Sequence, residues 1–337
     1  MSFTSVVPDS GPTAKQLAFE KYYKYQPFCE DRLLTVLRDK KLYFSDPISF
    51  NDPWDCKPWF DYRPMLEDPI KRREMVEFFR LLVSPEMLAH PYRQLYDNAI
   101  LTDDEQLKSE VEIYSRGLAE EIRKMRVYCL STKPLSTLMW SHYAENHRGI
   151  CLEFDKHNEV IEKARGIRYR DTYPEWTPQA MVGDPLALIL SKAKEWCYEQ
   201  EFRIIGSPTG GPIKLVDGQF VPLPEGALTA IILGCDSPHE AELTNLIDQY
   251  APGLTIKRMV RIPNHYKLAI SVVDRAAAAS SLTVSISSKL DCNVFHSRAA
   301  PQSEIAAGER RSVRAQIHST GCSEMASRKH EISEHRS

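Results

Sequence analysis

The feature that most constrains the fold of this chain is a row of charged residues near position 200. Glu199, Glu201 and Arg203 stand at alternate positions just before an apolar run. Successive side chains of a β-strand point to opposite faces, so a strand would place these three charges on one face. Burying a charge without a partner costs much free energy. The row therefore indicates either a structural ladder of ion pairs or part of a functional site.

Composition describes an ordinary globular chain without a strong charge bias. The 337 residues are 42% hydrophobic and 26% charged, and the net charge is −3. Nothing in this balance attracts the whole protein to nucleic acid or to an anionic membrane. No apolar run approaches the roughly 20 residues that span a bilayer, so no membrane association is predicted.

The cysteines and the N-terminus favour a cytoplasmic protein. The eight cysteines are scattered, and they form neither a Cys-x-x-Cys pair nor a Cys/His set with zinc spacing. The segment Met1–Pro12 has no basic region followed by an apolar stretch, which argues against a secretory signal. We therefore expect reduced thiols, no disulfide framework and no metal site.

The domain organisation is predicted from a change of composition near Arg275. Beyond it the chain is rich in Ser, Ala and Arg, and Phe295 is its only aromatic residue. Few side chains there could anchor a core, so disorder is the expectation for 275–337. The sequence thus predicts a flexible N-terminus at 1–17, a single domain at 18–274 and a disordered tail.

Helical and strand-like patterns interleave within this domain. Asp184–Pro185 has the residues that commonly begin a helix, and the apolar stripe that follows it predicts a helix to Cys197. The pair Asp217–Gly218 predicts a hairpin turn. Because several strand pairs are hairpin-like, the predicted class is α+β, with a mixed, mainly antiparallel sheet and flanking helices.

The segment Phe50–Asp55, which reads Phe-Asn-Asp-Pro-Trp-Asp, has two interpretations. Asn and Asp bond back to their own backbone and Pro fixes the next dihedral angle, so a rigid turn pinned by aromatic rings is the structural one. Alternatively Asn51, Asp52 and Asp55 present polar groups at a cleft, because loops on rigid scaffolds often carry sites.

The segment Leu138–Gly149 concentrates titratable and aromatic groups on a short predicted helix. His142 in such a place is commonly a histidine with an ordinary structural role. With Tyr143, His147 and Arg148 close in sequence, a pocket lining is the functional alternative.

The two glutamates likewise keep both interpretations open. In an ion-pair ladder, Arg203 would be their partner, together with Lys192 or Lys194. In a site, two neighbouring carboxylates push their proton affinities apart, which suits acid/base work or the stabilisation of a cationic transition state. The sequence has no phosphate-binding lysine loop, dinucleotide-binding glycine fingerprint or nucleophile elbow.

Five motifs in this order resemble a bacterial domain family of unknown function. They are Tyr23–Tyr25, Leu42–Ser45, Phe50–Pro53, Met139–Tyr143 with the His-Arg-Gly that follows it, and the Trp-x-Tyr-Glu-x-Glu-x-Arg of Trp196–Arg203. The resemblance extends over about residues 21–262. It implies an uncharacterised protein and does not itself name an activity.

The layout also resembles that of ADP-ribosyltransferases, with an aromatic strand, a central His/Tyr motif and a late Glu-x-Glu strand. Those enzymes hold nicotinamide adenine dinucleotide (NAD) in a split sheet, and a late glutamate stabilises the positive charge that develops on the ribose. The resemblance implies that Glu201 is catalytic, that Glu199 assists it and that His142 joins them. The side chains implied to bind the nucleotide are Tyr25, Asn51, Asp52, Tyr143, Arg148 and Arg203.

The functional hypothesis is therefore an NAD-dependent transferase or glycohydrolase, with a nucleotide-like small molecule as partner. NAD would be its substrate, and no further cofactor is indicated. Two alternatives stay open at this point. One is a non-catalytic module that binds or senses a ligand in bacterial defence or stress, and the other is a metal-dependent nuclease that uses the carboxylates.

Overall fold

The computed structural model describes residues 19–57, 59–173, 186–208 and 213–274. Internal contacts divide the chain into two units, Met1–Ala276 and Ala277–Ser337, and every described residue belongs to the first. The predicted flexible N-terminus at 1–17 and the predicted disordered tail at 275–337 lie outside the described residues.

Strands and helices interleave along the described chain. The strands are β1 (Lys21–Gln26), β2 (Lys41–Tyr43), β3 (Arg126–Ser131), β4 (Ile150–Asp155), β5 (Arg165–Gly166), β6 (Arg168–Arg170), β7 (Ser191–Ala193), β8 (Glu201–Ser207), β9 (Ile213–Lys214), β10 (Phe220–Pro222), β11 (Leu228–Leu233), β12 (Thr255–Arg261) and β13 (Leu268–Val272). The α-helices are α1 (Glu30–Leu37), α2 (Arg63–Glu67), α3 (Pro69–Leu81), α4 (Pro85–Leu88), α5 (Arg93–Thr102), α6 (Asp104–Lys124), α7 (Thr137–Tyr143) and α8 (Glu240–Tyr250). Short 3-10 helices lie at Pro47–Ser49, Ile161–Lys163 and Lys194–Glu199.

One large sheet organises this unit. Within the described residues it has nine strands in the order β13-β12-β11-β4-β1-β3-β8-β5, and β9 pairs with β8. The β11–β12 and β8–β9 pairs are parallel, and the other pairs in the sheet are antiparallel. This mixed, mainly antiparallel sheet with flanking helices confirms the predicted α+β class.

The sheet opens between β1 and β3. β1 pairs with β4 along its whole length, from Lys21 to Gln26. With β3, in contrast, the pairing recorded among the described residues is confined to Tyr23 opposite Ser131. Because the strands are antiparallel, Tyr25 and Cys129 would be the next partners on the same face, but they do not pair. The two strands therefore separate beyond Tyr23, in the direction of Gln26 at the end of β1.

The period of two along β8 assigns its side chains to different environments. Phe202 and Ile204 join the main apolar core, which α1 and α8 cover with buried residues such as Leu33 and Leu243. Arg203 lies between them in sequence and its side chain points to the other face, as expected for a strand. The charged side chains of β8 thus lie on the face of the sheet opposite the main apolar core.

Helix α7 covers part of the face opposite the main core. Its residues Met139 and Trp140 pack with Tyr25, Cys151 and Ile232 of the sheet. Trp140 is fully buried. Burying a large aromatic side chain contributes about 1.5–3 kcal/mol, so α7 is firmly attached even though it is short.

The segment from α2 to α6 forms a helical layer with its own apolar cluster. Met75, Phe78 and Phe79 of α3 are buried there, whereas Leu82, just after the helix, is exposed. Among the described residues, no helix combines the length and the apolar character that crossing a lipid bilayer requires.

The prediction of a helix from Asp184–Pro185 to Cys197 is wrong for the described residues 186–197. Asp184 and Pro185 lie outside the described residues, and turns at 186–190 are followed by β7 and a 3-10 helix. Leu188, Ile189 and Leu190 are buried in succession, and a helix with a single apolar face would not bury three consecutive residues. Tertiary packing has outweighed the helical pattern.

The turn predicted at Asp217–Gly218 is present, but the hairpin is reduced to one bridge. Both residues have positive φ angles, 51° and 74°, and with Gln219 they form a three-residue loop. Val216 and Phe220 exchange backbone hydrogen bonds of 2.8 and 2.9 Å across the turn. Beyond this bridge the strands take different partners, because β9 pairs with β8 and β10 pairs with β2.

Candidate active site

Glu199 and Glu201 reach one buried cluster although only Glu201 lies on a strand. The 3-10 helix ends at Glu199, and Gln200 has a left-handed backbone with φ 44° before β8 begins. This conformation costs a residue other than glycine roughly 1–2 kcal/mol. We attribute it to the ion pairs on either side, which need both carboxylates in the same place.

The cluster consists of three carboxylates and two cations. The Arg203 guanidinium donates from Nε to Glu201 Oε1 over 2.7 Å and from Nη2 to Asp55 Oδ2 over 2.6 Å. The Lys192 ammonium donates to Glu199 Oε2 over 2.6 Å and to Glu201 Oε2 over 3.1 Å. All five side chains are at most 6% exposed. Arg203 and Glu201 thus form the ion pair of the structural interpretation.

The charges do not balance when every carboxyl group is ionised, because three negative groups face two positive ones. Burial and the nearby Glu201 carboxylate raise the pKa of Glu199. Burial alone would also raise the pKa of Glu201, but Arg203 and Lys192 outweigh it and lower that pKa well below the usual range. Of the two glutamates, Glu199 is therefore the one that takes up a proton more readily.

A cavity of about 140 Å³ lies beside Glu199. Its walls come from neighbouring elements, namely β1, the loop after the first 3-10 helix, β3 and α7, together with the charged cluster. Apart from that cluster, the aromatic, polar and charged residues that line it are Tyr23, Lys24, Tyr25, Phe50, Asn51, Ser131 and Tyr143. Since Tyr25 and Cys129 both line it, the cavity adjoins the opening between β1 and β3.

Tyr143, the last residue of α7, connects the central motif to the acidic cluster. Its hydroxyl donates to Glu199 Oε1 over 2.6 Å. Burial raises the pKa of Tyr143, and the Glu199 carboxylate raises it further. Burial also raises the pKa of Tyr23 to about 12. Both phenols are therefore protonated at neutral pH and available as hydrogen-bond donors.

His142 points away from this cavity. Its Nδ1 lies 2.9 Å from the hydroxyl of Tyr198, and its side chain is exposed. Adjacent residues of a helix are rotated by about 100°, and here Tyr143 lines the cavity whereas His142 is absent from its described lining. His142 can act on the cluster only through its neighbours.

The Phe50–Asp55 segment combines the two roles that its sequence left open. Asp52 Oδ1 accepts a hydrogen bond from the Trp54 backbone over 2.8 Å, which is the predicted turn. Asn51 lines the cavity. Asp55 is buried and forms the ion pair with Arg203, so this loop is fastened to β8 by charge as well as by packing.

The predicted site residues fall into two groups. Those that the structure brings together at the cavity are Tyr25, Asn51, Tyr143, Glu199, Glu201 and Arg203. The described lining does not include His142, Asp52 or Arg148, and Arg148 is exposed. Tyr23 and Ser131 were not singled out from sequence. The period of two from Tyr25 would have placed Tyr23 on the same face of β1.

Because the pKa of Glu199 is raised in the folded protein, the free energy of unfolding depends on pH in a direction that can be predicted. Between 4.5, the ordinary pKa of Glu199, and its raised value, the folded protein keeps a proton that the unfolded chain has released. Wild-type stability therefore falls as pH rises through that window. The free energy of unfolding of Glu199→Gln, relative to wild type, should rise over the same window, as measured by urea denaturation at a series of pH values.

Glu201→Gln provides the control of opposite sign. The pKa of Glu201 is lowered in the fold, so its contribution is present above 4.5 and is lost as pH falls toward the lowered value. The stability of this variant relative to wild type should fall as pH rises through that lower range. If the stability of both variants relative to wild type changed with pH in the same direction, the assignment of a raised pKa to Glu199 and a lowered pKa to Glu201 would be contradicted.

Comparison with known proteins agrees with the predicted resemblance. Residues 139–204 match the model of a family described as a protein of unknown function, DUF2971. This confirms a likeness to an uncharacterised family of unknown function. The match runs from α7 into β8, so it includes Tyr143, Lys192, Glu199, Glu201 and Arg203. No curated protein and no solved structure matches the chain.

Among the described residues, no group of three or more His, Cys, Asp or Glu side chains is arranged to hold a metal ion. Within the acidic cluster, Lys192 and Arg203 occupy the positions facing the carboxylates where a cation would bind.

Proposed function

We propose that the cavity beside Glu199 is the active site of an enzyme that cleaves the nicotinamide–ribose bond of NAD, as a glycohydrolase or a transferase. The observation that carries the proposal is a buried cluster of three carboxylates hydrogen-bonded to two cations, with Glu199 facing a cavity that has aromatic walls. A positive charge that develops in such a cavity is stabilised strongly, because little water screens it.

The reaction creates the charge that this site is suited to stabilise. The bond between the nicotinamide nitrogen and ribose C1′ breaks, and its electron pair goes to the nicotinamide nitrogen, which becomes neutral. Positive charge grows on the ribose, and ionised Glu199 stabilises it. The oxygen of water or of an acceptor hydroxyl then bonds to C1′, and its proton passes to Glu199, whose raised pKa favours that transfer.

The walls of the cavity suit the leaving group. A volume of about 140 Å³ fits a single substituted ring, and Tyr23 and Tyr25 supply aromatic surface against which nicotinamide can pack. Asn51 offers an amide that matches the carboxamide of nicotinamide in hydrogen-bonding groups. The opening between β1 and β3 also supports the likeness in layout to enzymes that hold NAD in a split sheet.

Glu199 takes the reactive role in this proposal, and Glu201 takes a positioning role. Both oxygens of Glu201 are occupied by Arg203 and Lys192, which leaves little capacity for a substrate. Glu199 accepts two hydrogen bonds where Glu201 accepts three, and one of the two comes from the neutral hydroxyl of Tyr143 at the edge of the cavity. Glu201 thereby fixes Lys192, and Lys192 orients Glu199.

The test is to incubate the purified full-length protein with NAD and to quantify free nicotinamide by chromatography, while a parallel sample is melted with and without NAD. We expect nicotinamide to accumulate in proportion to enzyme and time. NAD that raises the melting temperature without being cleaved would overturn the enzymatic proposal in favour of a binding module. Cutting of nucleic acid that requires a divalent metal, without nicotinamide release, would overturn it in favour of a nuclease.

A further inference from the structure

A second, larger cavity lies on the other side of the buried charge cluster. Its volume is about 380 Å³, which falls in the range of roughly 300–1,000 Å³ that is typical of small-molecule sites. Asp55 and Lys192 line both this cavity and the smaller one beside Glu199. A ligand that occupies both would therefore extend past this pair of charged side chains.

The walls of the larger cavity are rich in aromatic surface. Trp54 and Trp59 line it and remain 56% and 49% exposed. Tyr173 stands between them, with ring centroids 6.5 Å from Trp54 and 6.2 Å from Trp59. The Tyr173 hydroxyl donates to the backbone carbonyl of Lys57 over 2.6 Å, so its ring is held in place. Two half-exposed indoles beside an anchored phenol form a surface on which a flat ring can stack.

The polar lining of this cavity comprises two cations, three carboxylates and two hydroxyl side chains, namely Arg170, Lys192, Asp55, Asp171, Glu195, Thr172 and Ser191. Ser191 is 7% exposed and lines the cavity, and its hydroxyl has no hydrogen-bond partner among the described residues. A buried hydroxyl without a partner costs free energy that a ligand would recover. Arg170, at the end of β6, adds an exposed guanidinium to the same lining.

We infer that the larger cavity binds the adenosine monophosphate half of the dinucleotide. The purine would stack on Trp54 and Trp59, Arg170 would pair with the phosphate, and Ser191 would bond to a polar group of the nucleoside. Guanidinium groups suit phosphate because they offer two parallel donors. The inference deepens the proposed function and rests on it, since it assigns the half of the substrate that is not cleaved.

The experiment uses two probes that separate base recognition from phosphate recognition. Adenosine monophosphate (AMP) and adenosine are each titrated into the full-length protein by calorimetry. Stacking of one base on an aromatic side chain changes affinity by roughly 5- to 150-fold on alanine substitution. Trp59→Ala, and separately Trp54→Ala, should therefore weaken both probes by about tenfold. Arg170→Ala should weaken AMP and leave adenosine unchanged.

Matched controls lie far from the cavity in sequence, on the helical layer. Tyr92 is an exposed aromatic residue and Arg116 an exposed arginine, and Tyr92→Ala and Arg116→Ala should leave both affinities unchanged. Melting curves check that all variants are folded, which is expected because the substituted side chains are at least half-exposed or at the surface.

The outcomes separate this inference from the proposed function. Saturable AMP binding that Trp59→Ala and Arg170→Ala weaken as stated supports the inference, even if NAD is not cleaved. AMP that does not bind, or that binds equally to all variants, overturns it, even if nicotinamide is released. Arg170→Ala that weakens adenosine as much as AMP overturns the assignment of Arg170 to the phosphate.

Discussion

Arg203→Met should lower the free energy of unfolding by about 3–5 kcal/mol, the loss expected when one member of a buried ion pair is removed. Arg203 is fully buried and bonds to Asp55, to Glu201 and to the backbone carbonyl of Ile189. Methionine preserves much of the packing but leaves the carboxylates without their main counter-charge. Urea denaturation at neutral pH, followed by tryptophan fluorescence, measures the loss.

Two further variants decide whether this loss comes from charge. Arg116→Met, at an exposed position of α6, should stay within about 0.5 kcal/mol of wild type. Asp55→Asn combined with Arg203→Met should lose less than the sum of the two single changes, because the first removes the charge that the second leaves unpaired. Additive losses, or a loss below about 1 kcal/mol for Arg203→Met, would show that the cluster is not held together by these ion pairs.

Glu199→Gln should reduce nicotinamide release by about 10²–10³-fold, the effect of removing one preorganised group that stabilises transition-state charge. Glutamine keeps the shape of the side chain and can still accept a hydrogen bond from Tyr143. It cannot supply negative charge to the ribose or accept the proton of the attacking oxygen. The rate of release at saturating NAD, measured beside the melting temperature, separates lost chemistry from lost folding.

Glu112→Gln is the matched control for this variant. Glu112 is exposed on α6, so the same change of charge there should leave the rate unchanged. Glu201→Gln should differ from both, because it disturbs the pairing of Arg203 and Lys192 and should lower the melting temperature together with the rate. A Glu201→Gln protein that is stable but inactive, beside an active Glu199→Gln protein, would return the reactive role to Glu201.

The fold class could be predicted because it depends on local patterns. Alternation along β8 separates Phe202 from Arg203, and the turn at Asp217–Gly218 follows from residues that tolerate positive φ. The helix predicted toward Cys197 failed for the converse reason. Its apolar stripe has helical spacing, but long-range packing and the burial of Lys192 impose a different backbone.

The composition of the site was only partly predictable. The charged row indicated the cluster, and Lys192 was named as a candidate partner. The pairing of Asp55 with Arg203 joins residues 148 positions apart, which no local pattern in a single sequence reveals. His142 and Tyr143 were both predicted at the site, and the rotation of α7 against the sheet, which brings only Tyr143 into the described lining, cannot be derived from the sequence alone. Trp140, fully buried on the sheet side, sets that rotation.

The most direct test of the central claim compares wild type and Glu199→Gln in one experiment, with NAD binding measured by calorimetry and nicotinamide release measured on the same samples. We expect both proteins to bind NAD and Glu199→Gln to release nicotinamide about 10²–10³-fold more slowly than the wild type. Equal release by the two proteins, or no release by a wild-type protein saturated with NAD, would contradict the assignment of Glu199 as the reacting carboxylate.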